Sequence, residues 1–444
     1  MTAFEDDLRV HGLLPSLLRQ LRGKNLRPIA GNTGWVLGEK VGRALVSGLV
    51  GAIVARYLGP SQYAVIAYAF AIMAFLVPVS QLGLTNIVVR DLALEPQSAG
   101  EIIGTTLLLR LIAGIVSLLG AALFLQMTEP DPARRLIGIM IAVPLVFQAS
   151  EAIDLWFQSR LESRFGVRWR VLLSLMTNGV RLALVWFKMP LWTFAVSMSM
   201  ELVLVAFALV LAYRMHPAAV AWRFSAMRAR LLLAEGSAFM LSGLTIIVYM
   251  RIDQIMLMHF AGPAVLGRFA AVVALTQIFH ILPVAMVTSL APVIAQQATK
   301  NEAAYYRALH GMFIVLGVGS VLVSLGIVVF GGLAVSLLLG QEYQSAVPAL
   351  QVYGFTNIAV ALGVAWNVWA TTSGKGKLLL VNTLCGCIVA VVANYMLIPR
   401  FGIMGAAIAA NMSFFTSALL VNFFTCRDIF FLQLGIRRDS RKIQ

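Results

Sequence analysis

Two long apolar stretches, separated by the short break Arg56-Tyr57-Leu58-Gly59-Pro60, fill residues 32–91 of this chain. Each stretch approaches the roughly 20 residues that a helix needs to cross the hydrocarbon layer of a membrane. Proline has no backbone N–H and restricts the residue before it, so Gly59-Pro60 predicts a tight turn between two helices. A hairpin of this length and apolarity indicates a chain that spans a membrane.

The composition also indicates a membrane protein. The chain is 60% hydrophobic and 12% charged, whereas soluble domains are about 45–50% apolar and about 25% charged. The net charge of +15 would suit a nucleic-acid partner. However, the basic residues lie between apolar stretches and form no long basic domain, so we predict no nucleic-acid binding. A bias of Lys and Arg toward the cytosolic side of a membrane accounts for most of them.

The hydrophobic pattern predicts an all-α integral membrane protein of about twelve transmembrane helices. The Gly59-Pro60 turn recurs 203 positions later as Gly262-Pro263, and Pro78 recurs 205 positions later as Pro283. Internal repeats of this kind are typical of transporters, so we expect two pseudo-symmetric six-helix lobes. The predicted segments are a cytosolic basic tail (1–31), an N-terminal lobe (32–213), a cytosolic linker (214–234), a C-terminal lobe (235–425) and a second cytosolic basic tail (426–444). The predicted spans lie near 33–55, 61–84, 101–125, 136–157, 170–188, 192–213, 236–258, 265–291, 309–330, 346–370, 378–397 and 403–425.

The distribution of basic residues predicts the orientation. If the N-terminal tail is cytosolic, 23 of the 34 Lys and Arg residues lie in cytosolic segments and six lie on the opposite side. Cytosolic loops are enriched in these residues. We therefore expect both termini to be cytosolic.

Ten charged residues fall at membrane depth. A charge at the bilayer centre costs about 2.5–3.5 kcal/mol even on the most lenient scale, so these side chains must face protein or a wet cavity. The cations are Lys40, Arg43, Arg110, Arg181 and Arg251, and the carboxylates are Glu39, Glu151, Asp154, Glu201 and Asp253.

The spacing of these charges leaves two interpretations open. Glu39 and Arg43 are four residues apart and can pair on one helix. Glu151 and Asp154 share a helix face, where they could hold a proton or Na⁺, or pair with Arg110 or Arg181 on a neighbouring helix. We treat Glu39, Glu151, Asp154 and Asp253 as candidates for ion coupling or for pairing.

The cations carry the hypothesis for binding. Arg181 and Arg251 have no carboxylate three or four residues away on their own helices, and Arg251 and Asp253 point to different faces because they are two residues apart. We hypothesise that Lys40, Arg43, Arg181 and Arg251 form a cationic lining between the lobes. Ion pairing with carboxylates on other helices is the alternative.

No catalytic motif is present in the sequence. There is no phosphate-binding loop of the GxxxxGK[ST] type, and the five histidines lack metal-ligand spacing. We therefore predict a transporter that is not an enzyme and has neither a cofactor nor a metal site.

In combination, nine short segments resemble the polysaccharide-biosynthesis flippases, such as the O-antigen flippases. These belong to the multidrug/oligosaccharidyl-lipid/polysaccharide (MOP) exporter superfamily. The resemblance extends from residue 32 to about residue 425. Ala64 and Phe269 depart from the family pattern, which usually has glycine and tyrosine there. The matching segments are Trp35, Glu39-Lys40, Ala55 to Pro60, Leu82-Gly83-Leu84, Val89-Arg90, Ile153 to Gln158, Tyr249 to Gln254, Leu339 to Tyr343 and Ile398 to Ala407.

The resemblance implies a MATE-like fold that works by alternating access in the bacterial inner membrane. It implies a cargo of oligosaccharide repeat units on undecaprenyl pyrophosphate, moved to the periplasmic leaflet for O-antigen, capsule or exopolysaccharide assembly. Membrane lipids, a polysaccharide polymerase and chain-length machinery would be its partners. Whether H⁺ or Na⁺ is exchanged, or the membrane potential alone drives transport, is left open.

Three other functions compete with this one. A multidrug or small-molecule extruder of the same superfamily is the main alternative, although an arginine-rich cavity would repel cationic drugs. A membrane-bound polymerase or glycosyltransferase would need catalytic groups on large extramembrane loops, and the predicted loops are short. A scaffold without transport activity would have no use for costly buried charges.

Overall fold

The computed structural model describes residues 27–298 and 302–436, and these residues form helices and turns without any strand. The first half of the chain, as the term is used below, comprises α1 to α8, and the second half comprises α9 to α17. The helices of the first half are α1 (Arg27–Gln81), α2 (Thr85–Leu94), α3 (Ala99–Thr128), α4 (Pro132–Ala142), α5 (Pro144–Phe147), α6 (Glu151–Ser159), α7 (Arg164–Trp186) and α8 (Leu191–Arg214).

The second half continues in the same manner, with a π-helical segment at Thr416–Leu420 before α16. Its helices are α9 (Ala226–Ala261), α10 (Pro263–Gln277), α11 (Ile281–Ala298), α12 (Glu302–Leu338), α13 (Val347–Tyr353), α14 (Thr356–Thr372), α15 (Gly376–Phe415), α16 (Val421–Thr425) and α17 (Arg427–Gln433).

Nine helical stretches in the described part of the chain are long and apolar enough to cross a membrane. Two of them, of 57 and 50 residues, bend at Gly59 and at Gly402, and one crossing needs only about 20 residues. Helix α7 overlaps the predicted span at 170–188 but is not one of these nine stretches. The all-α membrane fold is therefore confirmed, and the count of twelve stays a prediction.

The two Gly-Pro turns have nearly the same backbone conformation. Gly59 has φ 71° and ψ 168°, and Gly262 has φ 84° and ψ 173°. Glycine adopts positive φ without the steric cost of a Cβ atom, and the following proline suits the first position of the next helix. The local geometry agrees with the predicted repeat, whereas superposition of the two halves stays a prediction.

Both turns lie at one end of the molecule, which we call the turn end. Gly267, in the first turns of α10, packs directly against the Pro60 carbonyl. The Tyr343 hydroxyl donates to the Ala55 carbonyl over 2.7 Å, and the Arg56 guanidinium donates to the Leu337 carbonyl over 2.9 Å. The two halves are thus joined at the turn end by close backbone packing and hydrogen bonds.

Two helices extend into segments that were predicted to lie outside the lobes. Helix α9 begins at Ala226, within the predicted linker, where the Ser225 side chain caps it by accepting from the Arg228 N–H. The segment 426–444, predicted as a cytosolic basic tail, begins with α17, whose Ile429 and Leu432 pack into a core cluster of the second half. The boundaries of the lobes stay predictions. Residues 1–26 and 437–444 of the two predicted tails lie outside the described residues.

Candidate functional site

Six charged side chains form a network between helices of the first half, in which Glu151 interacts electrostatically with Asp154 and Arg170. The network links α1, α3, α6 and α7, and the three cations balance the three carboxylates. Its members, called here the first-half network, are Glu39, Arg43, Arg110, Glu151, Asp154 and Arg170.

Arg170 is the centre of one branch of this network. Its guanidinium lies 2.7 Å from an Asp154 carboxylate oxygen and 3.8 Å from a Glu39 carboxylate oxygen. Glu39 also pairs with Arg43 at 3.0 Å, as the four-residue spacing predicts. The Gln158 amide donates to Asp154 over 2.8 Å. Arg170 on α7 thus bridges two carboxylates from two other helices, and Arg43 supplies the second positive charge.

Arg170 is not among the site residues predicted from the sequence, because it follows Arg164 and Arg168 in a basic run that is typical of a solvated loop. The structure places it on α7 with only 16% of its side chain exposed. Asp154 could have indicated such a residue, because it is a carboxylate at membrane depth with no cation on its own helix and therefore needs one from another helix.

The second branch joins Glu151 to Arg110. Their side chains approach to 3.7 Å, and the Arg110 side chain is fully buried. Gln81 donates to the Glu151 carboxylate over 3.0 Å, and Arg110 donates to the Thr85 hydroxyl over 3.1 Å. Of the two partners predicted for this carboxylate, Arg110 is therefore the one that the structure shows.

Arg181 pairs with Glu201 of the next helix, α8, at 2.5 Å. Both side chains are largely buried, with 10% and 14% exposed. The Arg181 guanidinium also donates to the Asn178 side chain. The absence of a carboxylate on its own helix therefore does not leave Arg181 unpaired, because a carboxylate on a neighbouring helix supplies the counter-charge.

Arg251 differs from these arginines. Its guanidinium donates to the Gln277 side-chain oxygen over 3.2 Å, and no carboxylate of the described residues lies within 4 Å of it. Asp253 is 4% exposed, and its carboxylate accepts the N–H of Gln254 over 2.8 Å. As the two-residue spacing predicts, Arg251 and Asp253 do not form an ion pair with each other.

The surroundings of Arg251 are polar and aromatic. It interacts electrostatically with Tyr63 of the first half and with His280 and Tyr353 of the second. The buried His280 Nε2 atom has no hydrogen-bond partner among the described residues. A buried polar atom without a partner indicates a place for water or a ligand. We call Arg251, Gln277, His280, Tyr63 and Tyr353 the Arg251 cluster.

Lys40 lies on α1 beside Glu39, and its side chain is exposed. It makes no ion pair with a carboxylate of the described residues. The structure therefore brings Lys40 and Arg43 together on α1, places Arg181 in a separate ion pair, and places Arg251 in a cluster of its own.

The fold and the buried charges define a multi-pass membrane protein with the architecture of MOP-superfamily transporters. One similar structure is an inward-facing MATE multidrug resistance transporter (TM-score 0.69, 13% identity, 89% of this chain and 96% of that one). The lipid II flippase MurJ in an inward closed conformation is also similar (TM-score 0.67, 12% identity, 88% and 86%). A third is a MOP-superfamily transporter from Pyrococcus furiosus (TM-score 0.64, 15% identity, 93% and 98%).

The family model described as polysaccharide biosynthesis protein matches residues 29–298, which is more than half of the chain. The chain therefore belongs to this family, as the sequence resemblance predicted. No curated protein sequence matches the chain closely enough to add a specific relative.

Proposed function

We propose that this protein moves undecaprenyl-pyrophosphate-linked oligosaccharides from the cytosolic to the periplasmic leaflet of a bacterial inner membrane by alternating access. Family membership supports a role in polysaccharide synthesis. The similar structures include transporters and one protein described as a lipid II flippase. The observation that carries the proposal is Arg251, a partly buried cation without a carboxylate of the described residues within 4 Å.

An unpaired arginine inside the protein suits an anionic cargo. Arginine can hold phosphate oxygens with two parallel hydrogen bonds, which makes it a strong ligand for pyrophosphate. Lys40 and Arg43 on α1 add positive charge, although Arg43 shares its charge with Glu39. Arg181 adds no free charge, because Glu201 neutralises it. We assign the pyrophosphate to Arg251, with Lys40 and Arg43 attracting it from the cytosolic side.

Two sources of energy fit this arrangement. An inside-negative membrane potential favours outward movement of an anion by about 2.3 kcal/mol per charge per 100 mV. Asp253 is the carboxylate that best fits exchange of H⁺ or Na⁺, because it is buried and no cation of the described residues lies within 4 Å. By contrast, Glu39, Glu151, Asp154 and Glu201 are each paired with arginine.

The second candidate is extrusion of drugs or other small molecules. The similarity to the MATE multidrug transporter and the unpaired Asp253 favour it, since a buried carboxylate can attract a cationic drug. Arg251 argues against it, because it lies two residues from Asp253 and interacts with that carboxylate electrostatically. A cationic drug near Asp253 would also meet the positive charge of Arg251.

Deletion of the gene separates the two candidates. We expect loss of a surface polysaccharide and accumulation of lipid-linked oligosaccharide on the cytosolic leaflet. New sensitivity to drugs with an unchanged surface polysaccharide would support the extruder and refute the flippase.

Substitution of Arg251 then tests the assigned site. Arg251→Ala should abolish complementation of the deletion at normal protein abundance. Arg251→Lys should restore part of the complementation, because lysine keeps the positive charge but cannot form two parallel hydrogen bonds to a phosphate. Arg134→Ala is the control, since Arg134 is exposed and pairs with Asp131 on the surface. Full complementation by Arg251→Ala at normal abundance would refute the assignment.

A further inference from the structure

A cavity lies on the first half alone, at the turn end. Its volume is about 480 Å³, within the range of about 300–1,000 Å³ that is usual for small-molecule sites. The orientation predicted from the bias of Lys and Arg would place this end outside the membrane. The lining residues of this cavity, called here the outer pocket, are Tyr57, Leu58, Gln62, Ile137, Met189, Pro190, Leu191 and Trp192.

The base of the outer pocket is held in place by three contacts. The Tyr57 hydroxyl donates to the Met189 carbonyl over 3.0 Å, and the Tyr57 ring packs at 5.7 Å on Phe194. Leu58 and Ile137 are buried in the core beneath. The shape of the pocket is therefore set by the fold before any ligand arrives.

The turn that forms one wall is strained. Lys188 has φ 52°, a conformation that residues other than glycine rarely adopt. Residues in such conformations are concentrated at functional sites, and they also commonly end helices. The N–H groups of Lys188 and Met189 both donate back to α7, at Val185 and Leu184, which holds the strained turn closed.

The lining chemistry restricts the ligand. None of the eight lining side chains carries a charge, so the outer pocket offers no cation for a phosphate and no carboxylate for a cationic drug. The Gln62 amide is exposed, and Trp192 is 51% exposed. Aromatic rings offer broad apolar faces, and an amide both donates and accepts hydrogen bonds. Uncharged sugar rings, which have apolar faces and hydroxyl edges, match this combination.

We propose that the outer pocket binds uncharged sugar residues of the translocated oligosaccharide on the outer side of the protein. This inference rests on the proposed function, which supplies the glycan. The outer pocket lies on the first-half bundle and shares no lining residue with the Arg251 cluster. The glycan end of the cargo therefore has a second site, on the side where the product leaves.

Cysteine labelling tests the outer pocket in the full-length protein. Gln62→Cys places a thiol inside it, and Ser61→Cys places one on the adjacent exposed residue, which does not line it. Both variants also carry Cys385→Ser, Cys387→Ser and Cys426→Ser, which remove the native free thiols, and they are reconstituted in phosphatidylcholine nanodiscs and labelled with a maleimide. The probe is the oligosaccharide released by mild acid from the lipid extract of gene-deleted cells, and sorbitol is the acyclic control.

We expect the oligosaccharide to slow labelling of Gln62→Cys several-fold and to leave Ser61→Cys unchanged. Adding Trp192→Ala should remove this protection, whereas Trp186→Ala, an exposed tryptophan outside the outer pocket, should not. Equal protection by sorbitol, or no protection by the oligosaccharide, would overturn the proposal. If the gene-deleted cells accumulate no lipid-linked oligosaccharide, the proposed function is refuted, and the sugar site, which depends on it, is refuted as well. Accumulation without protection would refute the sugar site alone.

Discussion

Removing Arg170 should show whether the first-half network stabilises the protein. In Arg170→Met, Glu39 keeps Arg43 at 3.0 Å. Asp154 loses the one cation of the described residues that lies within 4 Å and keeps only the Gln158 amide. Leaving one partner of a buried ion pair uncompensated costs about 3–5 kcal/mol. The side chains of Arg170 and Asp154 are 16% and 7% exposed, so water can reach part of the site. We therefore expect Arg170→Met to lower the free energy of unfolding by about 3 kcal/mol, at the lower end of this range.

The assay is thermal unfolding of the purified protein in detergent, together with complementation of the gene deletion. Arg134→Met is the control, because Arg134 forms an exposed pair with Asp131 at 3.3 Å and such pairs contribute about 0–1 kcal/mol. Arg170→Met should lower the melting temperature well beyond the control.

A second substitution removes the charge that Arg170→Met leaves uncompensated. Arg170→Met combined with Asp154→Asn should recover much of the lost stability, because the unpaired carboxylate becomes a neutral amide of similar shape. The reasoning would be refuted if Arg170→Met melted like the wild type but no longer complemented the deletion. Arg170 would then act on the cargo and not on the fold.

Three further predictions concern the turn end and the topology. Gly267→Ala should destabilise the protein by about 1–3 kcal/mol, because its Cβ would meet the backbone of the first turn; Gly120→Ala, with open space around it, should unfold at or above the wild-type temperature. Tyr343→Phe should lower the stability by about 1–3 kcal/mol, since a buried carbonyl loses its donor; an unchanged melting temperature would contradict this. A reporter that is active only in the periplasm should be inactive when fused after Gln444 and active when inserted near Glu129. An active fusion after Gln444 would mean that the predicted number of spans is wrong by an odd number.

The apolar stretches and the Gly-Pro turns were predictable because both are local properties. Burial in a bilayer requires a long run of apolar side chains in the sequence itself. The turn conformations of Gly59 and Gly262 follow from the missing Cβ of glycine and the missing N–H of the next proline. The pairing of Glu39 with Arg43 was predictable for the same reason, since both lie four residues apart on one helix.

The partners of the other buried charges depended on the tertiary structure. Arg181 finds Glu201, and Arg170 finds Asp154, across the space between helices. Helix packing decides which side chains meet, and residue spacing along one helix contains no information about that packing. Arg251 is the contrasting case, because no carboxylate of the described residues lies within 4 Å of it on any helix.

The sequence by itself determined that the chain is a helical membrane protein with charges in its interior, because apolar length and charge cost act residue by residue. Only the tertiary structure decided which charges are neutralised and which are free. It grouped six of them into the first-half network, left Arg251 and Asp253 without ion pairs among the described residues, and formed the outer pocket from three segments distant in sequence. An ion pair or a cavity requires groups to meet in space, and that meeting is a property of the packed helices.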